Sequence, residues 1–385
     1  GSVSAEDCIR VTQGSESKTI TGTDIVFDQK TVDAPENSKT SMYVANGKID
    51  IKANVLSFAG VIPAKTPSGE VNWNGTAYTA GWMNGNGSIN IDVNELHIGD
   101  ENHVDRGFRM QQSGNQLTIH ANKIISYTGD GFINAQGNPG TSVANIGTAD
   151  HRVGYFEAHT TFGKDDYGVA ILQANEGNTV NLYADTAILD GSTNKNGGVI
   201  GTGGFGTVNV NTKDLTIDGN ICGTYGTRID PNKTASLNIM TDTLHMKGDV
   251  NIGSAGSGSS NFSRHTQHTI QATTAAGKDG SINVAGNQSN KGNRNDSSTL
   301  NITFNGDSKI TGDINVAGSE NDKATQDVTV NLGGKGDMSA SKGVYNVNNN
   351  ANVNFTGGQW AINEWNTADG KDVGNAAVKS GASVD

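Results

Sequence analysis

The stretch VNVNTKDLTIDGN, Val208 to Asn220, carries apolar residues at its first and third positions and breaks at Thr212-Lys213-Asp214. It then resumes with Leu215 and Ile217 and ends at Gly219-Asn220. Alternation with a period of two is the signature of a strand with one face buried. The polar break predicts a turn, after which the second apolar pair faces inward again. Glycine at the end predicts a corner that needs φ > 0 or a close approach of backbones.

The same phrase recurs. IDIKANVLSFAG begins at Ile49, INIDVNELHIGD at Ile89, LTIHANKIISYTG at Leu117, VNLYADTAILDG at Val180, LNIMTDTLHMKG at Leu237 and LNITFNGDSKITG at Leu300. Successive starts lie 40, 28, 63, 28, 29 and 63 residues apart. Each gap of 63 holds a weaker copy, VGYFEAHTTFG from Val153 and TIQATTAAG from Thr269. VTVNL from Val328 and VNF from Val353 carry the pattern on. A period in this range marks a solenoid, a propeller or an array. A propeller blade needs four strands and about 40–50 residues. A unit of 28 residues without helical periodicity fits one coil of a right-handed parallel β-helix. The expected fold is therefore all-β: about eleven coils over residues 49–385, making a rod about 50 Å long. Residues 1–48 lack the phrase and are expected to cap the open end. Protruding loops are expected at Val71–Gly87, 253–268 and 286–298. The Asn at the second position of the phrase (Asn90, Asn181, Asn209, Asn238, Asn301) points outward in this register, and asparagines at the corners are expected to stack as amide ladders.

Composition agrees. Of 385 residues 52 are glycine and only 5 proline, and aromatics make up 6%. The net charge of −12 argues against a polyanionic partner such as nucleic acid. No apolar run reaches the roughly 18 residues of a membrane helix. Cys8 and Cys222 are too few for a disulfide framework and are expected to be unpaired, many coils apart. Gly1-Ser2 reads as an expression scar, and the final AAVKSGASVD has no distinct cap, as in a helix truncated at its C-terminal end.

Motifs for chemistry are weak. GTGGFG (Gly201–Gly206) satisfies G-x-G-x-x-G but has no following helix to receive a pyrophosphate, so it reads as a coil corner. NGDSK (Asn305–Lys309) is similar to the segment around a serine-protease nucleophile, yet Lys309 replaces the glycine that follows the serine. His265 and His268 are spaced to share a metal on a helix, but their Ser/Gly-rich setting reads as a solvated loop. No calcium-loop pattern is present. No metal, cofactor or catalytic residue is therefore expected. The enzymatic alternative is a polysaccharide lyase or hydrolase, for which carboxylates on neighbouring coils, such as Asp190 and Asp218, would have to converge.

The coils LNIMTDTLHMKGDVNIG and STLNITFNGDSKITGDINVAG resemble the passenger region of a monomeric (type V) autotransporter, over residues 49–385. The resemblance implies a right-handed β-helix, secretion through a C-terminal outer-membrane barrel that is not part of this sequence, and display on the bacterial surface. It further implies an adhesin or coaggregation factor, linked to virulence, that attaches to host cells, glycans or other bacteria. A structural stalk is a third expectation. The partners would be a surface receptor, glycan or protein, with self-association left open and no membrane insertion by this part.

Contact residues follow from aromatic content. Trp73, Tyr78 and Trp82 fall within ten residues among Asn and Gly. They suit stacking on sugar rings or anchoring a protein partner, or alternatively packing over the cap. Trp360 and Trp365 are expected to pack.

Overall fold

The computed structural model describes residues 2–4, 9–14, 16–28, 40–62, 67, 79–129, 131–137, 140–160, 170–192, 198–223, 232–252, 265–279, 282–284, 295–316, 325–341, 343–345, 351–365, 375–378 and 382–384. They form strands and turns, with no helix among them. Nearly all pairing is parallel, and the fold is a β-solenoid. The chain divides into two compact units, Gly1–Ile200 and Gly201–Asp385.

The opening stretch is one strand, Thr207–Asp218, where the sequence pattern predicts strand, turn and strand. Val208, Val210 and Thr212 are buried, then Lys213 and Asp214 are both exposed, then Leu215 and Ile217 are buried. A flat strand would have sent Leu215 outward, because faces alternate strictly. The two consecutive exposed residues reset that parity, so the chain bends while staying in its sheet. The ladder to Ala235–Lys247 keeps one offset through the bend, Val208 opposite Leu237 and Leu215 opposite Leu244.

In the first unit one sheet is built from Ser17–Asp28, Gly47–Phe58, Gly87–Ile98, Gln116–His120, Lys123–Thr128, Val143–Ile146, Val153–Thr160 and Thr179–Asp190. Registers such as Ile51–Ile91 and Ile91–Ile119 stack like residues on successive coils. Parallel pairing starts before Ile49, with Ile20 opposite Ile51 and Phe27 opposite Phe58. The second sheet uses short strands: Ile9–Val11, Thr40–Val44, Thr79–Asn84, Phe108–Gln111, Ile133–Ala135 and Leu172–Asn175. Thr79–Asn84 thus belongs to a sheet rather than to the protruding loop expected there, while Val71–Tyr78 lie outside the described residues. A column of rings fills the interior: Phe27 lies flat on Phe58 at 4.9 Å, and edge contacts continue through Phe108 and Phe132 to Phe156. Burying each such side chain contributes about 1.5–3 kcal/mol.

The second unit follows the same plan. Its long strands are Thr207–Asp218, Ala235–Lys247, His265–Asp279, Asn295–Phe304, Thr325–Met338 and Ala351–Phe355. Asn220–Gly223, Val250–Ile252, Ile282–Val284, Ile314–Val316 and Val344–Tyr345 form the second sheet. Trp360 packs as expected: it is fully buried and its Nε1 donates to Gly333 O at 3.3 Å. Trp365 leans on Phe355 at 6.2 Å. Gly248 has φ of 122°, and a Cβ there would run into the Gly219 carbonyl on the preceding coil.

Amide ladders form at a corner, as expected, where Asn122 Nδ2 donates to Asn94 Oδ1 at 2.6 Å, and also among the second-position asparagines. Asn238 Nδ2 donates to Asn209 Oδ1 at 2.8 Å, and Asn354 to Asn331 to Asn301 runs at 2.9 and 2.8 Å. In the first unit Asn181 donates to Asn145 at 3.0 Å, while Asn90 donates to Asp50 at 3.0 Å. Cys222 lies in Asn220–Gly223, and Cys8 falls outside the described residues.

Candidate ligand-binding face

In the first unit's second sheet, Met42, Gly81, Phe108, Ile133 and Leu172 are successive register partners facing the core. Their chain neighbours therefore face outward. This aligns Arg10, Tyr43, Trp82, Arg109, Asn134 and Gln173, one per coil, in a stripe with a spacing of about 4.8 Å between coils. The Arg10 guanidinium carbon sits 4.6 Å from the Tyr43 ring centre. Tyr43 meets Trp82 edge-on at 5.6 Å and 81°. Arg109 lies 5.9 Å from the Trp82 ring. Such contacts hold the aromatic planes in place before any ligand arrives.

Arg10 is exposed, Tyr43, Trp82 and Arg109 are half-buried, and Asn134 and Gln173 are buried. Asn84, two residues beyond Trp82 on the same face, donates to the Tyr43 hydroxyl at 3.0 Å. Trp82 Nε1, Asn84 Oδ1 and Asn134 Oδ1 are buried and find no partner among the described residues. Leaving such groups unpaired costs about 1–3 kcal/mol each.

Of the three expected contact residues, Trp82 takes part in this stripe, and Trp73 and Tyr78 lie outside the described residues. Sequence reasoning missed Tyr43 and Arg109. The signal was present: TSMYVANG, TAGWMNGNG and FRMQQSGNQ align as one short phrase. Asn46, Asn86 and Gln112, at equivalent turns after Tyr43, Trp82 and Arg109, all adopt positive φ (53°, 47° and 63°).

The other sheet of this unit carries an acid–base cluster on its outer face. His159 Nδ1 lies 2.6 Å from Asp190 Oδ2 on the next coil, and its Nε2 lies 2.8 Å from Glu157 Oε2. Tyr155 OH donates to Glu157 Oε1 at 2.5 Å, and Ser192 N donates to Asp190 Oδ1 at 2.9 Å. Tyr127 stacks on His159 at 4.5 Å and 12°. Burial alone would raise both carboxyls. For Glu157 the hydrogen bonds from Tyr155 and His159 outweigh it, and for Asp190 those from Ser192 and His159 do, so both are held below their ordinary values. The Tyr155 phenol is pushed up to about 12, first by its bond to Glu157. A glycosidase pair needs one carboxyl raised to serve as the acid. Here both are lowered, and every carboxylate oxygen has a protein partner. Asp190 and Asp218 fall in different units.

The remaining motifs resolve structurally. Gly206 N donates to Gly203 O at 3.0 Å, making GTGGFG a turn into Thr207–Asp218. Ser308 Oγ accepts from Ala275 N at 3.2 Å and is nearly buried. His265 and His268 lie in the strand His265–Asp279, not in a solvated loop. No group of three His, Cys, Asp or Glu is placed to hold a metal among the described residues. No protein-family model, curated protein or solved structure matches this chain.

Proposed function

We propose that this chain is a non-enzymatic adhesin, a bacterial surface passenger of the monomeric autotransporter kind, and that it binds glycan through the Tyr43–Trp82–Arg109 face. The observation that carries the reading is the pair of half-buried aromatic rings, Tyr43 and Trp82, fixed edge-on at 5.6 Å between Arg10 and Arg109. A pyranose presents an apolar face that stacks on such rings. The stripe runs across coils, so a linear oligosaccharide laid along it meets a new side chain about every 4.8 Å. Many copies on one cell would raise weak single-site affinity by avidity.

The test is binding of the purified chain to a glycan array and to whole cells, with product analysis. Saturable binding with intact glycan is expected. Glycan returned as shortened or unsaturated pieces would transfer the proposal to the polysaccharide lyase or hydrolase. Absence of binding to both would leave a structural stalk.

A further inference from the structure

His268 occupies a position that the coil pattern reserves for an aliphatic side chain. Its register partners are Leu237 on one side and Leu300 on the other, in an inward column that runs from Val208 through Val330 to Val353. His268, Leu237 and Leu300 are all fully buried, at 0% exposure. Among the described residues neither ring nitrogen has a hydrogen-bond partner, and neither does Thr266 Oγ1, two residues away on the same face.

The groups around it give a proton no support. The inward residues of Ala235–Lys247 beside it are Ala235, Leu237 and Ile239, followed by Thr241, Leu244 and Met246, while Asp242, His245 and Lys247 on that strand are exposed. On Asn295–Phe304 the described inward residues are Ser298, Leu300, Ile302 and Phe304. Asp296 stands four residues before Leu300, roughly 13 Å along the strand. On its own strand, His265 precedes it and Lys278 and Asp279 close the far end. Val250–Ile252, Ile282–Val284 and Ile314–Val316 of the second sheet contain no ionisable residue.

We propose that the coil built on His268 is an acid-operated opening point in the second unit: mild acid charges the imidazole, and the strands Ala235–Lys247, His265–Asp279 and Asn295–Phe304 separate to hydrate it. An imidazolium has two N–H donors and no described residue accepts from them, so charging favours the open form. Burial pushes the His268 pKa down from 6.5 to about 3. A base with a depressed folded pKa leaves stability intact above its unfolded value. That stability is lost progressively as pH falls from 6.5 toward 3. Between pH 7 and pH 5 the opening equilibrium should shift about 25-fold.

Hydrogen exchange of the full chain at pH 7 and pH 5, corrected for intrinsic rates, tests this. The expected result is an opening constant in the three strands about 25-fold larger at pH 5, and no such shift in His268→Leu. Equal protection at both pH values in the unmodified chain, or the same acid loss in His268→Leu, would overturn it. Should the leucine variant fail to fold, NMR of 13C-labelled histidine decides the matter. An imidazole that stays neutral in the folded form at pH 5 supports the device. One that titrates near 6.5 with the strands still protected ends it.

Discussion

Two outer faces of the first unit differ in how they treat their polar atoms. Around His159 every carboxylate oxygen of Glu157 and Asp190 is taken by Tyr155, Ser192 or the imidazole itself. Around Trp82 the half-buried rings of Tyr43 and Trp82 form an aromatic surface, while the buried indole N–H and Asn84 Oδ1 find no partner among the described residues. A closed network ties coils together and has nothing left for a partner. A partly exposed aromatic surface leaves apolar area to be covered on binding. Charge and aromatic content alone do not separate the two, since both faces hold tyrosine and ionisable groups.

Substitutions can break this contrast. The largest effect is expected for Trp82→Ala, which removes the central ring: glycan affinity should fall at least about 30-fold, as for a buried aromatic anchor. Its melting temperature should change little, as read by circular dichroism. His159→Ala should do the reverse, costing about 2 kcal/mol in denaturant unfolding through lost charge-assisted bonds, with affinity unchanged. Asn238→Ala, which cuts one rung of the amide ladder, should cost about 1 kcal/mol and also spare binding.

Acid sharpens the comparison by window. Glu157 and Asp190 have folded pKa values below their ordinary 4.5 and 3.8. Their contribution is thus present above those values and lost as pH falls through the lowered ones. His268 acts higher, from 6.5 downward. Exchange protection followed from pH 7 to 3 should therefore fall first in Ala235–Lys247 and only later in Val153–Thr160 and Thr179–Asp190. Loss in the opposite order would contradict both assignments.

The long-strand sheet was legible in the sequence because period-two alternation marks Val208, Val210, Leu215 and Ile217, all buried. The outward asparagines were legible for the same reason. The second sheet was not, because strands of three to six residues, such as Ile9–Val11 and Thr79–Asn84, are too short for alternation to stand out. His268 was misread because a polar residue at an inward position erases the pattern exactly where it matters. Trp82 was found by composition. Its partners Tyr43 and Arg109 lie 39 and 27 residues away and are joined to it only by coil register.

The decisive measurement is parallel titration of the unmodified chain, Trp82→Ala and His159→Ala with a glycan taken from the array, each paired with its melting curve. The account predicts binding lost with stability kept in Trp82→Ala, and binding kept with stability lowered in His159→Ala. Undiminished binding by folded Trp82→Ala, or binding lost only in His159→Ala, would contradict it.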